Sequence, residues 1–581
     1  MRMILALLAG AALYGQIPAQ DARNAEIPNT DTHFTARSYK TLAEWQARRE
    51  HLRKQVLSAA GLMPMLPKND LHAQIFGKIE NRTYSIEKVL IETLPGYFLG
   101  GNLYRPMKAA PAGGFPAIVS PHGHWNYGRL EHSVTASVPA RCINLAQQGY
   151  VVFAYDMVGY NDTVQTPHDF GSPREQLWDF GPFSLQLWNS IRAVDFVQSL
   201  PEVNPARIGA TGASGGATQT FTLAAVDDRI QFSAPVNMVS AIMQGGGLCE
   251  NAPNLRLDTF NVEIASIMAP KPMILVSATG DWTKNTATEE FPAVRAIYEL
   301  YDKAANVETV HLDAPHNYNQ QNREAVYRFF GKHVLGETDT AKFREKNIRL
   351  EKLQDMLVLH NRKLPDNALD YDGVVAEWIR MGEAQARQVT DRVQVREMLE
   401  FALGAEWPER VVQESQGEMV LFGRAGRGDR VAGFVRMGSG RKVLLVHPEG
   451  AEAARKSAEF AALAKTGRPI YTIDAFQTGA AMAPRNRDAK MFLTFNRSDD
   501  ANRVQDILTV LRGLDSDVEL VGVGKAAVWC QFAAALARRP VELKADLGGF
   551  TGADQEYLDG FFVPGIQRAG GLRAARMLTG K

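Results

Sequence analysis

Cysteine is scarce in this chain: three residues in 581, Cys142, Cys249 and Cys530, odd in number and far apart. That excludes a disulfide framework and a multi-cysteine zinc site, and leaves each thiol to be read as a small buried hydrophobe. Net charge is absent too. Lys+Arg and Asp+Glu both number 64, so no overall field draws the protein to nucleic acid or to an anionic membrane. A membrane span is also missing from the N-terminus, where the apolar run from Ile4 to Tyr14 is shorter than the ~20 residues a spanning helix needs. With Met1-Arg2-Met3 before it and Gly15 to Ala19 after it, the run reads as a secretory signal peptide over residues 1–19. A secreted or periplasmic location is therefore expected, and no cysteine follows the run to accept a lipoprotein anchor.

What is present is ordinary globular material, 45% hydrophobic and 22% charged, in a chain too long for one core. Thr41-Leu42-Ala43-Glu44 has capping-box spacing and opens a helix through about Ala59. Tyr84 to Thr93 and Phe98 to Tyr104 flank Pro95-Gly96 as a hairpin, and strands and helices then alternate through Pro116 to Ser120, Tyr150 to Tyr155, Leu185 to Leu200 and Arg207 to Thr211. That order predicts an α/β domain, a mostly parallel sheet with helices on both faces, over residues 36–336. Residues 337–372 are charged and uneven and read as a helical linker. Residues 373–581 then repeat the first domain. Leu145-Ala146-Gln147-Gln148-Gly149, a strand and Asp156 match Leu463-Ala464-Lys465-Thr466-Gly467, a strand and Asp474, position for position. Pro116 to Ser120 likewise matches Val443 to His447, and Ile208 to Ser214 matches Leu520 to Gly524. An internal duplication is expected, although two domains of one layered architecture would also look alike.

Gly212-Ala213-Ser214-Gly215-Gly216 fits G-x-S-x-G and lies between a strand and a helix, where small neighbours let a serine sit on a strained turn and project its hydroxyl. A phosphate-binding turn would need G-x-G-x-x-G or a P-loop lysine, and neither is there. A serine hydroxyl needs a base. Of the histidines after Ser214, only His316 follows the last strand of the first domain on a loop; His311 lies within a strand, His333 ends a helix, and His360 and His447 lie outside that domain. Asp281, after the strand Met273 to Ala278, is the acid expected to orient His316, ahead of Asp313 and Glu250. Pro121-His122-Gly123-His124-Trp125 follows a strand as an oxyanion loop would, making the N–H groups of His124 and Gly215 the expected donors. Trp125, Tyr160, Glu250 and Trp282 are candidates for the substrate pocket. No cofactor is expected. Nor is a metal, since His122 and His124 have no acidic third ligand near them in sequence.

Arg192 to Leu200, Pro201-Glu202-Val203-Asn204, the Ser214 motif, Gly280-Asp281-Trp282-Thr283 and His316-Asn317-Tyr318-Asn319 together resemble the acetyl-xylan-esterase and dienelactone-hydrolase branch of α/β-hydrolases. The likeness runs from about Arg37 to Gly336. It implies hydrolysis of a carboxylic ester, of a small molecule or a polysaccharide, including removal of acetyl groups from plant polysaccharide; dienelactone hydrolases proper use cysteine where Ser214 stands. A serine peptidase of oligopeptidase type shares the triad but needs room for a β-propeller ahead of the domain. A non-enzymatic binding protein on the same fold is the other alternative. In the repeat, Gly524 takes the place of Ser214 and no counterparts of Asp281 and His316 are found, so a degenerate, truncated α/β-hydrolase-like domain is expected there rather than an all-β carbohydrate-binding module.

Overall fold

The computed structural model describes residues 17–346 and 348–580, so residues 1–16 of the expected leader lie outside the described residues. No described helix is long and apolar enough to cross a membrane. The chain divides into two compact units.

The first unit, Thr30–Gly171 with Phe180–Met381, is built on a nine-stranded sheet. Its strands are β1 (Gln74–Glu80), β2 (Tyr84–Leu94), β3 (Tyr97–Pro106), β4 (Phe115–Val119), β5 (Val151–Tyr155), β6 (Val203–Ala213), β7 (Ile230–Val236), β8 (Met273–Gly280) and β9 (Val307–Pro315). They are ordered β1-β2-β3-β5-β4-β6-β7-β8-β9, antiparallel as far as β5 and parallel from there on. Every residue of β4 and β5 is buried, as expected where helices cover both faces of a parallel sheet. Helix α1 (Leu42–Ala59) starts where Thr41 Oγ1 accepts the Glu44 N–H and buries Trp45, Leu52 and Val56. Helices α2 (Val138–Gln148), α3 (Pro182–Ser199), α4 (Gly215–Val226) and α5 (Gln320–Phe330) complete the layers. All twelve residues of α4 are buried, so the turn before it is held from both sides. The loops leaving β4, β5, β6, β8 and β9 gather at the carboxyl edge of the sheet, where ligands bind in such folds.

Residues 337–372 do not form the expected helical linker. They hold only two short turns, Thr340–Phe343 and Leu353–Met356, before the helix Tyr371–Gln388 begins. Phe343 and Met356 enter the core beside Phe330, Val358 packs on Leu90 and Phe98, and Asp162 accepts the N–H groups of Val358 and Leu359 at 2.8 Å each. Three apolar anchors so widely spaced carry no helical period, and between them Glu345 turns inward to pair with the buried Arg323. The boundary of the first unit therefore moves from residue 336 to Met381, and its start from residue 36 to Thr30.

The second unit takes in residues 382–580 together with 17–29 and Ser172–Asp179. Its seven strands are β10 (Val411–Gln416), β11 (Met419–Arg424), β12 (Val431–Arg436), β13 (Lys442–Val446), β14 (Ile470–Asp474), β15 (Val518–Gly522) and β16 (Val541–Ala545), in the order β10-β11-β12-β14-β13-β15-β16. That order, and every strand direction, repeats β1 to β7. Helices α6 (Arg392–Leu403), α7 (Asp499–Gly513) and α8 (Ala526–Leu536) occupy the places of α1, α3 and α4. Both borrowed segments are held by specific bonds: the buried Arg23 pairs with Asp21 and Asp506 and lies over the Phe476 ring, while the N–H groups of Gly565 and Gln567 donate to the carbonyls of Gln176 and Leu177.

Candidate active site

Ser214 sits between β6 and α4 with φ 59° and ψ −127°. A non-glycine residue there carries about 1–3 kcal/mol of strain. Its neighbours explain the motif: a Cβ on Gly212 would lie 2.5 Å from the Gly216 carbonyl oxygen, and one on Gly216 2.7 Å from that of His122. The Ser214 N–H donates to Val236 O at 3.1 Å, tying the turn to the end of β7.

His316 follows β9 directly, and its Nδ1 is 2.9 Å from Asp281 Oδ2 at the end of β8. The other oxygen, Asp281 Oδ1, accepts from Thr283 N at 2.7 Å and Thr283 Oγ1 at 2.5 Å. The Asp281 side chain is 1% exposed, so it faces His316 as a fixed carboxylate. With that acceptor opposite, Nδ1 carries the imidazole proton and Nε2 keeps its lone pair. His316 Nε2 is buried and has no hydrogen-bond partner among the described residues, which leaves it able to take a proton. The imidazole is flanked by Trp282, centroids 4.4 Å apart, and by Trp125 at 6.0 Å, rings whose faces favour an imidazolium.

The competing acids stand elsewhere. Asp313 lies within β9 and accepts from Thr279 Oγ1 at 2.6 Å. Glu250 is buried and accepts from Thr218 Oγ1 and from the N–H groups of Gly246 and Gly247, so it fastens its own loop instead of lining a pocket. Tyr160, the other pocket candidate away from His316, packs edge-on against His122 and His168, with centroids 5.1 and 5.0 Å away.

The loop after β4 is fixed by His122. Burial pushes this histidine down to a pKa of about 3; being neutral, it donates from Nδ1 to Gly123 O at 2.7 Å and accepts the Met157 N–H on Nε2 at 2.9 Å. Arg141 anchors the same loop through Ser120 Oγ and Pro121 O. A Cβ on Gly123 would meet Ala213 O at 2.8 Å and Ser214 Cβ at 3.2 Å, and one on Gly215 would meet the His124 ring at 2.7 Å. The loop backbone therefore lies against the nucleophile turn. Gly215 N–H, in the first turn of α4, has no intrahelical acceptor and directly follows Ser214, while His124 follows Gly123 in the loop packed against that turn. Asp156 stabilises its turn, accepting from Asn161 Nδ2 at 2.8 Å and Asp162 N at 3.0 Å and pairing with the buried Arg129.

Two residues were not among the sequence candidates. His168 Nε2 lies 3.1 Å from His124 Nε2, which is also 3.0 Å from Cys249 Sγ. The Cys249 thiol is held well above the usual thiol range by burial, with Glu250 and Asp169 adding to it. His168 lies in a loop rich in turn residues, and only the fold brings it to His124.

No family model matches the chain. It is 26% identical over 253 residues to the Bacillus subtilis (strain 168) protein YtaP, named as a hydrolase, a match covering 40% of this chain and 81% of that one. Among solved structures, methylesterase BT1017 aligns with a TM-score of 0.51 and 29% identity over 60% of this chain and 78% of its own. A protein from Bacteroides fragilis NCTC 9343 described as an acetyl xylan esterase aligns with a TM-score of 0.40 and 14% identity, over 51% of this chain and 85% of its own. The fold is that of the α/β-hydrolases, followed by a second domain with a seven-stranded sheet.

Proposed function

We propose that the chain is a secreted serine carboxylic-ester hydrolase acting on esterified carbohydrate, of acetyl xylan type, through an acyl-enzyme on Ser214. The observation that carries the reading is the His316–Asp281 pair, its Nε2 unpartnered, on the same strand edge as a serine held at φ 59°. In this mechanism His316 Nε2 takes the Ser214 proton as Oγ bonds to the ester carbonyl carbon. The carbonyl oxygen becomes an oxyanion that accepts from the N–H groups of Gly215 and His124, each worth roughly 2.7–4 kcal/mol in the transition state. His316 then gives its proton to the departing alcohol, and water attacks the acyl-serine by the same route in reverse. Asp281 stays ionised throughout and stabilises the imidazolium.

The likeness to a methylesterase favours a second reading, in which the ester is a methyl ester of a sugar acid and methanol leaves first. Acid and alcohol release measured on acetylated xylo-oligosaccharides, methyl uronates and peptides separates the cases. Acetate from the first supports the acetyl reading, methanol from the second the methyl reading, and cleavage of the peptides alone would overturn both.

A further inference from the structure

We propose that His124, His168 and Cys249 form a binding site for a zinc-class divalent cation beside the oxyanion loop. Their three ligand atoms lie within 4.8 Å of one another, with His124 Nε2 3.1 Å from His168 Nε2 and 3.0 Å from Cys249 Sγ. Tetrahedral zinc, with bonds of about 2.0–2.1 Å to imidazole and 2.3 Å to thiolate, spaces its ligand atoms roughly 3.3–3.6 Å apart. The two spacings from His124 are thus a few tenths of an ångström from that geometry, and His168 Nε2 and Cys249 Sγ, within 4.8 Å of each other, close the third side on binding.

The ligands are also held in place. His168 Nδ1 is 2.7 Å from the Val158 carbonyl, which can only accept; Nδ1 therefore carries the proton and Nε2 presents a lone pair to the cluster. An imidazole whose other nitrogen donates to a backbone carbonyl is the usual outer-shell arrangement of a metal-binding histidine. Tyr160 supports the His168 ring edge-on, and Gln186 Nε2 donates to Cys249 O at 3.2 Å. The three residues come from separate loops, after β4, β5 and β7, which the sheet edge brings together. Two imidazoles and a thiol select zinc, cobalt or a similar ion over magnesium or calcium. Cys249 is buried and His124 exposed, so an ion can enter from the His124 side and keep a fourth position for water or a substrate oxygen. The competing account of the same contacts is a hydrogen-bond relay, His124 Nε2–H to His168 Nε2, with the thiol as a neighbour.

Untagged full-length protein, stripped with chelator and titrated with Co²⁺ and then Zn²⁺, decides between them without reference to ester hydrolysis. The site predicts one Co²⁺ per chain, a thiolate-to-cobalt charge-transfer band, and loss of that band on adding one equivalent of Zn²⁺. Cys249→Ser should abolish the band, His168→Ala should weaken binding by about tenfold to a hundredfold or more, and His72→Ala, distant in sequence and exposed, should change nothing. Circular dichroism checks that the variants fold. Should Cys249→Ser fail to fold, the wild-type spectrum still decides, because a bound ion without thiolate charge transfer contradicts the ligand set. Substoichiometric uptake, or a band that survives in Cys249→Ser, would overturn the site in favour of the relay.

Discussion

At Ser214 and at Gly524 the chain turns from a strand into a helix with nearly the same left-handed backbone, φ 59° in the first unit and 53° in the second. One position strains a side chain to present an oxygen, and the other has a glycine, which adopts the same φ without strain. The rest of the two turns follows the same division. Pro121-His122-Gly123 in the first unit corresponds to Pro448-Glu449-Gly450 in the second, so the buried histidine that fixes the oxyanion loop is replaced by an exposed glutamate. The seven strands of the second sheet repeat β1 to β7, and among the described residues nothing pairs beyond β16 where β8 and β9 would present the acid and the base. The backbone shape is kept where helix and sheet packing demand it. At these two matching positions, only the first unit carries a strained side chain and a buried histidine.

The sharpest way to break this contrast is Ser214→Ala in the full chain. Turnover of p-nitrophenyl acetate should fall on the order of 10⁶-fold, as when the nucleophile of a serine hydrolase is removed. The second unit is untouched in that variant, so substantial residual turnover by the folded protein would either remove Ser214 from the mechanism or place ester hydrolysis in the second unit. Next, Asp281→Asn should cost about 10⁴-fold through the wrong histidine tautomer, while Asp313→Asn should leave kcat within about twofold; the reverse ranking would transfer the acid role to Asp313. Gly123→Ala is expected to lower kcat by about 10²–10³-fold with little change in KM, because the new methyl group pushes the oxyanion loop off Ser214. A rise in KM alone would mean that the loop binds substrate and does not stabilise the oxyanion.

A pH effect should separate the units by stability. His122 is held at about 3 in the folded state against 6.5 for a free histidine. Above pH 6.5 neither state protonates it; between 6.5 and 3 the unfolded chain takes up a proton the folded unit refuses. The first unit should therefore lose up to about 1.4 kcal/mol per pH unit as pH falls through that window. Pulse proteolysis in urea, with fragments assigned to each unit, would test this, and equal loss in both units would count against His122 as the cause. The smallest effect is expected from Gly524→Ser in the Ser214→Ala background. It should restore no activity, because the second sheet lacks counterparts of β8 and β9 to carry an acid and a base like Asp281 and His316 among the described residues, and should destabilise the second unit by about 1–3 kcal/mol through its left-handed backbone. Recovered turnover would refute the reading of the second unit as degenerate.

The features legible in the sequence were those written locally. The Ser214 turn needs small residues within five consecutive positions, and Asp281 and His316 each follow a recognisable strand, so their order could be read along the chain. The repeat was legible from β13 to β15, which are buried and apolar. It was not legible from β10 to β12, where β10 is largely exposed and β12 alternates. Glu250, a candidate for the substrate pocket, accepts from two loop N–H groups through a fold of residues 245–250 that no periodicity records.

By itself, the sequence determined the alternation of strands and helices, the strained turn at Ser214, and the places of Asp281 and His316 after their strands, because each depends on contacts within a few residues or on apolar periodicity. Only the tertiary structure decided that residues 17–29 and Ser172–Asp179 belong to the second unit, that 337–372 straps the first, and that His124, His168 and Cys249 meet. Those outcomes rest on single contacts, Arg23 with Asp506 or His124 with Cys249, between residues more than a hundred positions apart. Burying a charge such as that of Arg23 requires a partner, and the partner is whatever the folded chain brings near.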